Sequence, residues 1–153
     1  MEASCAAVRV GGQDVLVVQA WIVNIGPTPV NISRFFFPPQ IVWLEFADSA
    51  GREVRYEGFK AHLAMPGKED FVRLDSGQLY GVRVRLVPEA RGRRGGRYTL
   101  IYLPDSPTDG HYLFGAPGRY SLTVRYSAGE NVRHAGVEAW TGTLQSEKIW
   151  FDL

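Results

Sequence analysis

Three histidines, one cysteine and a few carboxylates in turns are the side chains here that could carry chemistry, and their spacing argues against most of it. His62, His111 and His134 lie far apart, and each is expected in a loop. Nucleophilic catalysis needs a Ser or Cys within reach of a base. No serine in this chain is framed as Gly-x-Ser-x-Gly, the sharp turn that exposes a hydrolase nucleophile, so the three read as ordinary surface histidines. Paired carboxylates for glycoside hydrolysis have no framing motif either. Asp75, Asp105 and Asp109 could feed a calcium site but lack the array of an EF-hand loop, and aspartates in Pro/Gly turns commonly cap the turn. Cys5 is the sole cysteine, which excludes a disulfide within the chain, and no Cys/His set has zinc spacing. A copper site of the cupredoxin kind would need two His, a Cys and usually a Met gathered near the end of the chain. Cys5 stands at the opposite end, and neither a metal nor any other cofactor is expected.

What remains is recognition. The run Arg91-Gly-Arg-Arg-Gly-Gly-Arg97 could hold a phosphate, a sulfate or an RNA backbone, since guanidinium forks match such anions. Against that, 17 Lys and Arg balance 16 Asp and Glu to a net charge of +1, so no overall field favours nucleic acid or an anionic membrane. A solvated hairpin tip is the preferred reading of the cluster. The aromatics are more informative. Phe35, Phe36 and Phe37 are consecutive, so in a strand at least one points away from the others. Trp43 and Trp150 fall on the face opposite their strands' apolar set, and Tyr98, Tyr102, Tyr112 and Phe114 crowd the stretch between Pro88 and Pro117. These rings form either a second small core or an exposed platform for a protein or sugar. The candidate contact residues are Phe36, Trp43, Arg93, Arg94, Arg97, Tyr98, Tyr102 and Tyr112.

Composition bounds the scaffold that must position them. At 153 residues, 45% hydrophobic and 22% charged, the chain suits one globular domain over 1–153, a length that buries roughly 68–70% of its unfolded surface. No apolar run approaches the roughly 18 residues of a membrane helix. Ala3-Ser4-Cys5 faintly resembles the end of a lipoprotein cleavage box, which would favour an extracytoplasmic site over a cytoplasmic one. Asn31-Ile-Ser33 fits a glycosylation sequon but falls in an expected strand.

Along the chain, period-two alternation recurs between Gly/Pro turns. Val15–Asn24 is nearly continuous in β-branched and aromatic residues, as expected for a strand inside a sheet, and 24–31 reads as a hairpin-like connection to the next strand, Val30–Phe36. In 41–48, Val42, Leu44 and Phe46 share a face, and Ser49–Arg52 reads as a hairpin turn into Glu53–Tyr56. In 79–87, Tyr80, Val82, Val84 and Leu86 point inward and Arg83 and Arg85 outward. The segment 88–117 is an irregular excursion, the kind of long connection that often carries function. After Pro117-Gly118, Tyr120, Leu122, Val124 and Tyr126 alternate with Arg119, Ser121, Thr123 and Arg125, and in the last strand Ile149, Phe151 and Leu153 alternate with Trp150 and Asp152. The total is eight or nine strands with no helical period, the pattern of an all-β sandwich.

A tyrosine directly after a Pro-Gly corner, as in Pro117-Gly-Arg-Tyr120, resembles the tyrosine corner of immunoglobulin-like and fibronectin type III-like sandwich modules, in which the phenol bonds back to the backbone a few residues upstream. Residues 15–46 and Trp140–Ser146 before a final strand fit the same likeness. The lone cysteine departs from the antibody branch, which pairs two. The resemblance implies an immunoglobulin-like antiparallel β-sandwich and a non-catalytic binding or structural module that mediates protein interaction in a cell-surface or secreted assembly. A carbohydrate-binding or proteinase-inhibitor module working through 88–117, and a hydrolase with a loop-built site, are the alternatives. No nucleic-acid partner is expected.

Overall fold

Alternation of apolar and polar side chains is realised as antiparallel strands. The computed structural model describes residues 1–10, 12–33, 42–58, 67–88, 97–102, 106–129 and 136–153. Within them lie β1 (Glu2–Val10), β2 (Gln13–Val23), β3 (Val30–Ser33), β4 (Val42–Asp48), β5 (Arg55–Glu57), β6 (Phe71–Leu74), β7 (Leu79–Pro88), β8 (Arg97–Tyr102), β9 (Ser106–Leu113), β10 (Arg119–Ala128), β11 (Gly142–Gln145) and β12 (Ile149–Asp152). One 3₁₀ turn at Lys68–Asp70 is the only helical piece among the described residues, and no helix there is long and apolar enough to cross a membrane. The fold is all-β.

Six strands form one sheet in the order β1-β2-β7-β8-β9-β5. A second, four-stranded sheet is built around β10. β4 lines one edge of β10 over Tyr120–Tyr126, while β12 and then β11 share the other edge end to end. Where those two short strands meet, Ser146 stands in for a ladder residue. Its N–H donates to the Val124 carbonyl at 2.9 Å, and its hydroxyl accepts the Val124 N–H at 3.0 Å. The break therefore leaves no backbone group of Val124 unpaired, which would be costly at 0% exposure. β3 and β6 pair as a separate ribbon.

The inward positions of the two sheets make one core. Leu16, Val18, Ala20 and Ile22 of β2 and Val84 and Leu86 of β7 join Val42, Leu44 and Phe46 of β4 and Leu122 and Val124 of β10, none more than 5% exposed. Burying each of the larger ones is worth roughly 1.5–3 kcal/mol relative to leaving it in water. Phe46 meets Tyr112 and Phe114 edge-on, with ring centroids 4.9 and 5.2 Å apart, so the four-stranded sheet reaches across to β9 and the residue after it.

Four expectations change. There are twelve strands among the described residues, not eight or nine: the run closing the chain is divided at Ser146, and Ser106–Leu113, read as turn-rich, is a strand. β3 does not form a hairpin with β2; it pairs with β6. The crossing is fixed by Asn24, buried at the end of β2, whose amide donates to the carbonyls of Thr28 and Leu74 and accepts the Gly26 N–H. β5 likewise leaves β4 after a single bridge, Ala47 to Glu53, and joins β9 of the other sheet. Finally, 88–117 is not an irregular excursion throughout: β8 and β9 extend the six-stranded sheet from β7.

Candidate binding face

β10 distributes its side chains by parity. Tyr120, Leu122, Val124 and Tyr126 go into the core, and Arg119, Thr123 and Arg125 go to the outer surface of the four-stranded sheet. Thr123 lies opposite Glu45 and Arg125 opposite Trp43 across β4, while Ser121 lies opposite Trp150 across β12. Directly opposed residues share a face, so Trp43 and Trp150 flank β10 on opposite sides. From a rise of about 3.3 Å per residue and a strand spacing of about 4.8 Å, they stand on a diagonal roughly 16 Å long.

The two ends differ in chemistry. Trp150 is 45% exposed, with the Arg119 guanidinium 5.2 Å and the Lys148 ammonium 5.8 Å from its ring centroid, both over the ring. Cations so placed are held by the ring quadrupole. At the other end Trp43 is half-buried, and Arg125 Nη2 pairs with Glu45 Oε1 at 2.6 Å. Both charged side chains keep about two-fifths of their surface in water, 43% and 41%. Further along, the hydroxyls of Ser127 and Thr143 meet at 3.3 Å. The face thus carries two indoles, an ion pair, two further cations and the exposed Asp152 carboxylate, which lies opposite Arg119.

Elsewhere lies a cleft of about 490 Å³ between the Asp48–Val54 turn and Gly115–Tyr120. Its rim is polar. Asp48 accepts the Ala50 and Arg52 N–H groups and Arg52 Nε, the last at 2.7 Å. The Arg52 backbone bond, more than any other contact, holds its carboxyl below the usual range. This arrangement closes a turn. Pro117-Gly118 and Tyr120 complete the wall, and the Tyr120 hydroxyl donates to the Ala116 carbonyl and accepts the Ala116 N–H, as the corner pattern implied.

The residues expected to form a platform separate. Tyr98 and Tyr112 lie opposite one another on β8 and β9 and share the inner face. They are 9% and 2% exposed, with Tyr98 edge-on to Phe114 at 5.2 Å, and burial pushes both phenols up. They are core rings, not contact residues, because parity turns them inward. Trp43 does face outward. Arg97 opens β8 opposite Leu113, and Tyr102 ends it opposite Val84 and Ser106. Phe36, Arg93 and Arg94 lie outside the described residues, as do His62 and His134. His111 is half-buried in β9, paired with Glu57 and Thr99, and so is not the loop residue it was expected to be. Cys5, in the middle of β1, is half-buried, and burial raises its thiol to about 12. No cluster of three His, Cys, Asp or Glu fit for a metal occurs among the described residues.

Sequence reasoning passed over Trp150, Arg119 and Lys148 as a unit. Alternation put Trp150 and Arg119 on outer faces, but the pairing of β10 with β12, two segments more than 20 residues apart, brings them together. The fold is all-β, built from antiparallel sheets, and the outer face of its four-stranded sheet is aromatic and charged. Compared with known protein families the chain matches none, and a comparison with curated proteins returns no relative.

Proposed function

We propose that this chain is a non-catalytic, immunoglobulin-like binding module that recognises a protein partner with the outer face of its four-stranded sheet. The observation that carries the reading is Trp150, a large indole left 45% exposed on a strand between two cations. Trp and Arg are the residue types that dominate protein contact energies, and they do so best on rigid elements where little order is lost on binding. The Tyr120 corner supports the immunoglobulin-like assignment, since its hydroxyl bonds back to Ala116 at the start of the central strand as the tyrosine-corner resemblance implies. The burial of Tyr98 and Tyr112 moves the reading away from 88–117 and onto this face.

A photo-crosslinking amino acid introduced at Asp152, exposed two residues from Trp150 on the same face, with a matched control at Gln19 on the exposed side of the other sheet, tests it in extracts of the source cell. Capture of a defined protein from position 152 but not from position 19, with affinity for that protein falling at least tenfold in Trp150→Ala, is the expected result. Capture only from position 19, or a glycan array that binds while no protein does, would replace the reading.

A further inference from the structure

Trp150 has little to lean on. Across the ladder stands Ser121, too small to wall an indole, and among the described residues no other aromatic ring lies against it. A side chain left 45% exposed in such a place is free to sample more than one rotamer. What approaches it instead is charge. Lys148 precedes Trp150 by two residues, and Arg119 lies opposite Asp152, two residues beyond it. The ammonium and the guanidinium thus reach the ring from opposite directions along β12, ending 5.8 and 5.2 Å from its centroid. Arg119 does this with the Asp152 carboxylate as its facing neighbour. The described ion pairs take up Arg52, Arg55, Arg73 and Arg125 and include neither Arg119 nor Lys148.

We infer that Arg119 and Lys148 are positioning residues that clamp the Trp150 indole between them and hold it in one orientation as a pre-ordered contact. The inference deepens the proposed reading of this face and rests on it. A cation is attracted to the negative face of a ring and not to its rim, so each contact is lost when the indole swings to another rotamer, and the two together favour one. Order already present in the free protein need not be imposed on binding. The two cations therefore act on affinity for the protein partner through the ring, without having to touch the partner. The clamp also sets specificity. A flat ligand such as a sugar needs an open ring face on which to stack, whereas a clamped indole offers its rim, which suits the apolar side chains of a protein.

Nuclear spin relaxation of the Trp150 indole N–H in the full chain, its signal assigned by its disappearance in Trp150→Phe, tests the clamp without any partner. The expected order parameter is about 0.8, falling below about 0.6 in Arg119→Gln/Lys148→Gln. Arg119→Lys/Lys148→Arg keeps a cation on each side and should keep the order, which a purely steric support would not predict. Arg9→Gln/Arg83→Gln, which removes two exposed cations from the other sheet, should leave it unchanged. The protein captured from position 152 should bind the first double variant at least fivefold more weakly and the conservative one as the parent chain does. A ring that is mobile in the parent chain, or equally ordered without its cations, would overturn the inference. So would a captured protein whose affinity depends on Trp150 and ignores both cations, although the face reading would then stand. An ordered, cation-dependent ring from whose neighbourhood no protein is captured would uphold the clamp and remove the face reading instead.

Discussion

Tyr120 and Tyr126 lie on the same face of β10, six residues apart, and each uses its hydroxyl to bond both the N–H and the C=O of a single residue. Tyr120 closes on Ala116, four residues back. Tyr126 closes on Ser33, 93 residues away, accepting its N–H at 3.1 Å and donating to its carbonyl at 3.3 Å. One bond pattern therefore does two jobs. The first holds a turn whose course Pro117 and Gly118 already set. The second ties the β3–β6 ribbon to the central strand at a place where Ser33 is 1% exposed and Tyr126 0%. Ala116 is exposed and can turn to water if its clamp is lost; Ser33 cannot. The same chemistry should thus be worth more at the distant end, since the cost of a lost hydrogen bond depends on whether solvent can replace it.

The largest expected effect follows from that difference. Tyr126→Phe keeps the ring, which packs 5.9 Å from Trp140, and removes only the hydroxyl. It strands both polar groups of Ser33 and should lower unfolding stability by about 2 kcal/mol in urea titration. A loss no greater than that of an exposed substitution would mean that the ribbon is held by other contacts, such as Trp140 N–H to the Asn31 carbonyl and the Asn31 amide to the Glu138 carbonyl.

A pH titration sharpens the same point. Burial, opposed by the Ser33 bond, lifts the Tyr126 phenol from 10.0 to about 12. The folded state therefore holds this proton more tightly than the unfolded chain does. Its contribution is fully present below pH 10 and is lost as the unfolded chain ionises between pH 10 and about 12, with the slope of stability on pH negative throughout that window. Two units correspond to at most about 2.7 kcal/mol. Tyr126→Phe should flatten this part of the alkaline unfolding curve. Tyr98 and Tyr112, also raised by burial, keep the rest of the decline in place. An unchanged slope would show that Tyr126 ionises without opening the ribbon.

The two clamps also mark how far the sequence could be read. Tyr120 was legible because its partner is local: a Pro-Gly corner and a following alternating strand lie within a few residues. Facing was legible for the same reason, so Val42, Leu44 and Phe46, and Tyr120 through Tyr126, could be assigned inward from period two alone. Sheet membership was not. Nothing near Val30–Ser33 reveals that it pairs with Phe71–Leu74, or that Asn24 is the polar hub of that crossing, because both depend on residues 38 to 50 positions apart. The same limit explains Tyr98 and Tyr112. Their strands were visible as apolar pieces, but the inward turn of both rings follows from β8 pairing with β7, and a strand's facing flips with a shift of one residue. For the outer face, Trp43 and Trp150 could each be placed outward, yet their joint position on either side of β10 is a property of the register.

Tyr120→Phe is the smaller test and the one that decides whether the comparison holds. Its hydroxyl serves Ala116, whose backbone remains hydrated on one side, and its ring stays in the cluster with Phe114 and Phe151 at 5.0 and 6.1 Å. The loss should be about 1 kcal/mol, roughly half that at the other end of the strand. Six residues of strand put the two Cα atoms about 20 Å apart, so the double variant should lose the sum of the single losses to within about 0.5 kcal/mol. A larger shortfall would mean that β10 transmits strain from one end to the other, in which case the corner and the ribbon are one device. Additivity with unequal halves would make them two: a turn lock that the local sequence already favours, and a long-range tie that only the folded register can form.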